Sequence, residues 1–244
     1  MHYFITFIAV IAGFLLAFVL RPKNKKNIKL LLAFSGAFLL SLTVLHLLPD
    51  IYEGSHAGHF HKFQGKSSIP IGVFIMLGIL FQIVLEFFSK GAEHGHVHVE
   101  TNAKHEIEAV PWLLFFSLCL HALLEGFPIH QNNQLAYGIA IHHFPIAIIL
   151  SLFFINAHMS KKMIFGFMFT FAIMTPLGTL LSDFLPAAQF YDKEITAVVI
   201  GILFHISSII IFESNEGHKF NIAKISAIMI GFVLAYLIEM GHQH

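Results

Sequence analysis

The chain has 244 residues, of which 57% are hydrophobic and 11% charged, and its Lys+Arg and Asp+Glu counts are equal at 14. A soluble domain is nearer a quarter charged, so this balance excludes an ordinary water-soluble core, makes the bilayer the expected solvent, and gives no reason to expect a nucleic-acid partner. Cys119 is the only cysteine, which excludes an intramolecular disulfide and a cysteine-rich metal site.

Eight apolar stretches follow one another, each near the roughly 20 residues that span a bilayer as a helix. The first runs from about Tyr3 to Leu20. It lacks a basic leading segment and a clear small-residue cleavage site, so it reads as a retained helix. The loop "RPKNKKNIK" precedes the second stretch, about Leu30 to Leu48, which ends "HLLPD" with His46 and Asp50. A loop over about 51–68 holds His56, His59 and His61, and the third stretch covers Ile69 to Phe88. A second histidine-bearing loop, about 90–109, holds His94, His96 and His98 in "EHGHVHVE", followed by His105. The fourth stretch is Val110 to Ile129, the fifth Leu135 to Ile155 and the sixth Met163 to Leu185. The seventh is Ile195 to Phe212, carrying His205 with Glu213 just beyond, and the eighth is Ile222 to Met240.

These are long apolar runs, not the alternating ten-residue segments of a membrane barrel. The expected fold is therefore all-α: a polytopic membrane protein of eight transmembrane helices forming one domain over residues 1–244. Lys and Arg set its orientation. If the first loop is cytoplasmic, eleven of these residues lie inside and only Lys62, Lys66 and Lys193 outside. Both termini are then outside, which in a Gram-negative inner membrane is the periplasm. The 51–68 loop is outside and the 90–109 loop cytoplasmic.

The fourth stretch contains "CLHALLEGFPIHQNN", with His121 and Glu125 four residues apart. A carboxylate at membrane depth costs on the order of a few kcal/mol even on the lenient insertion scale. Positions i and i+4 share a helix face, so both side chains reach one object. A divalent cation accepts imidazole nitrogen and carboxylate oxygen together; the alternative is a His–Glu hydrogen bond tying helices to one another. The fifth stretch, "YGIAIHHFPIAIILSLFF", adds His142 and His143. Pro145 leaves the Ile141 carbonyl without its helical partner, and Pro128 does the same to Leu124, so kinks are expected beside the ionisable residues. Adjacent helical residues point about 100° apart, so one histidine is expected in the ligand shell and the other beside it.

In "HALLEG" and "HHFPI" the chain resembles the ZIP (Zrt/Irt-like) family of divalent metal transporters. "HLLPD" is similar to that family's second-helix ending. The resemblance implies His46 and Asp50 near the outer mouth and a metal site built from His121, Glu125, His142 and His143. It also implies a bundle holding the fourth and fifth helices that moves against a more static one. The chain departs from the family at Ala122, Ile146 and Thr175, where second-site ligands are usual, so a single intramembrane ion is expected. Three or four ligands with water completing the shell suit release as well as capture.

The expected function is transport of a divalent transition-metal cation, zinc first, although imidazole and carboxylate also suit iron, manganese, cobalt and cadmium. The expected partners are that ion as substrate, the lipid bilayer and, as an option, a second copy of the chain; no cofactor and no enzyme activity are expected. The alternative is an intramembrane metal-dependent hydrolase using the same cluster, against which stand the lack of HExxH and of a spare general base. His94, His96 and His98 read as weak metal capture in the loop. His205 lines the pathway or, as the preferred reading, bonds a neighbouring helix. Asp183 reads as a solvated cap.

Overall fold

The computed structural model describes residues 3–20, 25–53, 69–89, 112–130, 133–213 and 222–240. Among the described residues all regular structure is helical: α1 (Tyr3–Leu20), α2 (Lys25–Leu42), α3 (Leu48–Glu53), α4 (Ile71–Ser89), α5 (Trp112–Glu125), α6 (Asn133–Asn156), α7 (Lys161–Phe184), α8 (Pro186–Phe190), α9 (Asp192–Glu213) and α10 (Ile222–Met240). A π-helical turn, Thr43–Leu47, joins α2 to α3, and a 3-10 turn, Phe127–His130, follows α5. Among the described residues four stretches are long and apolar enough to cross a membrane: Asn27–Tyr52, Leu135–Asn156, Lys161–Phe184 and Asp192–Phe212. The apolar helices Phe4–Leu20, Ile71–Phe87, Phe115–Ile129 and Ile222–Ile238 are shorter.

Three features differ from the sequence-based expectation. The second helical stretch is longer than Leu30–Leu48, because the π-turn carries it on to Glu53 and takes 51–53 out of the expected loop. The fourth is not a kinked helix reaching Ile129. It stops at Glu125, because Pro128 cannot donate to Leu124 and the chain tightens into the 3-10 turn instead. The fifth is, as expected, one helix across Pro145. The short α8 was not expected; Pro186 at its first position supplies a preset φ and needs no amide partner there. The histidine loops lie outside the described residues, apart from the segment to Glu53.

Packing sorts the long helices into two groups. α1 lies along α6 and α7, and α5 on α7; α4 lies along α9, and α10 along α2. The groups meet where α2 touches α6 and α4 touches α5. One core cluster spans both groups: Val10, Phe14, Phe154, Phe167, Met168 and Phe171 pack in it with Leu32 of α2 and Ile202, Ile206 and Ile210 of α9. Phe115 stacks on Phe167 with ring centroids 4.4 Å apart, and Trp112 and Phe154 meet the same ring edge-on at 5.4 and 5.5 Å. Such pairs add roughly 0.5–1.5 kcal/mol each beyond area burial.

α6 and α7 are joined by a tight turn in which His158 has φ 54°. His158 N–H donates to the Ile155 carbonyl at 3.1 Å and Met159 N–H to the Phe154 carbonyl at 3.2 Å. This is a Schellman motif, whose left-handed position ordinarily holds glycine. A side chain there costs ~1–2 kcal/mol, and a β-branched one costs more. His158→Gly is therefore expected to raise the melting temperature in detergent, and His158→Val to lower it.

Candidate metal site

α5 and α6 bring four ionisable side chains into the interior. His121, Glu125, His142 and His143 are 2%, 0%, 0% and 1% exposed. The i, i+4 spacing on α5 sets His121 Nε2 3.1 Å from Glu125 Oε1. From α6, His143 Nε2 lies 2.8 Å from the other carboxylate oxygen, Oε2. His121, Glu125 and His142 each offer a ligand atom such that all three atoms lie within 4.8 Å of one another. That is a span one tetrahedral cation can bridge with modest closure. Of the two adjacent histidines, His142 brings a nitrogen to this group and His143 stands beside it on Glu125. Their ring centroids are 6.0 Å apart, and the two oxygens of Glu125 let the carboxylate meet the group on one side and His143 on the other.

The end of α5 is as informative as its side chains. Gly126 closes the helix, its N–H reaching the Leu123 carbonyl at 3.2 Å. Thr179 Oγ1 shares its one proton between the Gly126 carbonyl at 2.9 Å and the Thr175 carbonyl at 3.1 Å, pinning the broken end to α7. The approach is very close. A Cβ on Gly126 would sit 2.2 Å from the Thr175 carbonyl oxygen, and one on Gly178 only 1.9 Å from that of Leu123. The helix therefore ends at the residue that carries its carboxylate. His121 and Glu125 both lie at the C-terminal end of α5, and the negative end of a helix dipole favours a cation nearby. Ala122, Ile146 and Thr175 are all buried, and none brings an imidazole or carboxylate to the group.

The remaining candidates fall elsewhere. His46 stands in the π-turn with Nε2 4.0 Å from Asp50 Oδ2, and the pair is outside the group of three. π-turns of this kind are frequent at functional sites. His205 bonds Glu86 of α4, Nε2 to Oε2 at 2.7 Å, in line with a helix-tying role. Glu86 is a residue the sequence reading passed over; a carboxylate near the end of the third apolar run was the available signal. At Asp183, expected to be a solvated cap, the capping side chain is that of Gln189, whose Nε2 donates to the Asp183 backbone carbonyl at 2.6 Å, and Asp183 is half-buried. His94, His96 and His98 lie outside the described residues.

A bundle of apolar helices closed around an ionisable group defines a multi-pass membrane protein with a polar centre. A profile of the ZIP zinc transporters matches residues 89–239, which includes the whole cluster. Zinc transporter ZIP1 of Bos taurus is 23% identical over 252 aligned positions, covering 86% of this chain and 78% of that protein. The human ZIP1 is 24% identical over 251, with the same coverage. Zinc transporter SLC39A7 of Mus musculus is 32% identical over 84 positions, 32% of this chain and only 18% of that protein. The chain belongs to the ZIP zinc transporter family. These relatives are transporters by name, and the hydrolase alternative finds no support in them.

Proposed function

We propose that the chain moves a divalent transition-metal cation, zinc first, across a bilayer through one intramembrane site. His121, Glu125 and His142 hold the dehydrated ion, and His143 completes the group through Glu125. The observation that carries this reading is the fully buried Glu125 carboxylate, flanked by two imidazoles with a third within reach. A buried charge of this kind is expensive unless matched, and a divalent cation matches it with the donor types present. The absence of imidazole and carboxylate at Ala122, Ile146 and Thr175 supports a single ion.

The proposal includes eight membrane-crossing helices with both termini outside, in a bacterial inner membrane. It rests on the apolar runs and on the eleven-to-three Lys/Arg bias. The group α1, α5, α6 and α7 carries the ion and moves against α2, α4, α9 and α10, a division supported by the packing of the helices. His46 and Asp50 receive the ion at the outer mouth. His94, His96 and His98 hold metal weakly on the other side, and a homodimer is the assembly proposed.

The test is uptake by purified protein in liposomes against a panel of divalent ions. Zinc-dependent uptake without a hydrolytic product is the expected result; no metal-dependent flux under any ion would overturn the proposal. Neutral imidazole and ionised carboxylate are the forms that bind, so protons compete with the metal. Uptake is therefore expected to fall as the pH is lowered. An unchanged rate through the acid range would argue against this ligand set.

A further inference from the structure

Glu125 has two oxygens, and they face different groups. Oε1 lies toward His121, within the group whose ligand atoms are mutually within 4.8 Å. Oε2 is 2.8 Å from His143 Nε2. A carboxylate only accepts, so His143 Nε2 is the donor in that contact and its proton stands where a metal would have to bind. The other nitrogen, Nδ1, is buried without a hydrogen bond among the described residues. The ring packs on Phe171 with centroids 5.4 Å apart, which holds its plane. His142, one residue earlier, instead contributes a nitrogen to the group with His121.

We propose that His143 is a positioning residue and not a ligand. Its N–H fixes Oε2 and turns Oε1 toward His121 and His142, so that the ion is held by two imidazoles and one carboxylate oxygen. This rests on the metal-site reading given above. An imidazole that orients a ligating carboxylate from outside the shell acts through preorganisation, and outer partners of this kind are worth roughly 10–100-fold in metal affinity. It also leaves at least one position of a tetrahedral shell to water, which is the position release requires.

The experiment is zinc X-ray absorption on the purified full chain with one equivalent of zinc, counting imidazoles by their multiple-scattering signature, with zinc titration alongside. Wild type is expected to show two imidazoles. His143→Gln, whose amide nitrogen can donate to the same oxygen, is expected to keep two and to retain affinity within a few-fold. His143→Leu, which removes the donor, is expected to bind zinc ~10–100-fold more weakly, again with two imidazoles. Three imidazoles in wild type would make His143 a ligand and overturn the proposal, leaving the site itself in place. Equal loss of affinity in the Gln and Leu variants would also overturn it, since the donated hydrogen bond would then not be what matters. A wild-type protein that takes up no zinc would overturn the site reading and this inference with it. The wild-type imidazole count needs no variant to fold.

Discussion

Replacing Glu125 by Gln is expected to abolish most metal uptake in liposomes while the protein stays folded. The amide keeps the shape and can still meet the His143 and His121 rings, which can change tautomer to suit it. What it loses is the negative charge that compensates the ion in a low-dielectric interior. Since outer partners alone are worth roughly 10–100-fold, loss of the charged ligand should reduce uptake at least on the order of 100-fold. Thermal stability is expected to hold or rise, because an expensive buried charge is gone. His121→Ala should match it in severity, as both remove a donor from one shell. Glu125→Asp should be milder, keeping the charge but retracting it by one methylene. Near wild-type uptake by the Gln variant would return the pair to the role of a helix-to-helix hydrogen bond.

The second large effect is expected from a residue with no chemistry of its own. In Gly178→Ala the added Cβ would lie 1.9 Å from the Leu123 carbonyl oxygen and within 3.2 Å of the Gly126 Cα. Backbone cannot swing aside as a flexible side chain can, so α5 and α7 must separate. Overpacking of this kind costs typically ~1–3 kcal/mol and at times more. The displaced segment is the end of α5 that carries Glu125 and is tied by Thr179, so uptake should fall together with the melting temperature. Gly166→Ala is the internal control on the same helix. Nothing lies within 4 Å of its added Cβ, and alanine is the better helix former by roughly 1 kcal/mol. It should leave uptake unchanged and stability equal or slightly higher. Equal behaviour of the two variants would show that the α5–α7 approach does not position the site.

The positions of the helices were largely legible from apolar run length. α1 and α10 begin and end where the runs do, α6 and α9 extend only a few residues beyond them, and α7 begins two residues earlier and ends one earlier. A stretch of near-uniform hydrophobicity has few conformations in which its amide groups are satisfied away from water, and the helix is the local one. The breaks were legible only in part. Pro128 and Pro145 present the same local signal, yet the helix ends near the first and continues through the second. The difference lies in what receives the chain. α5 has Gly126 to turn at and Gly178 and Thr179 of α7 to dock on, partners far away in sequence.

The site divides along the same line. The i, i+4 spacing of His121 and Glu125 settles their common face on one helix, because helical geometry alone relates them. Composition and the cost of a buried carboxylate mark that face as polar and matched. Which of His142 and His143 joins the group with His121, and which reaches the far oxygen of Glu125, depends on the rotation of α6 against α5. The pairing of His205 with Glu86 depends on α9 lying along α4. No local rule carries those rotations. They are set by the packing of Phe and small residues across helix faces that are distant in the chain, and only the tertiary structure decides them.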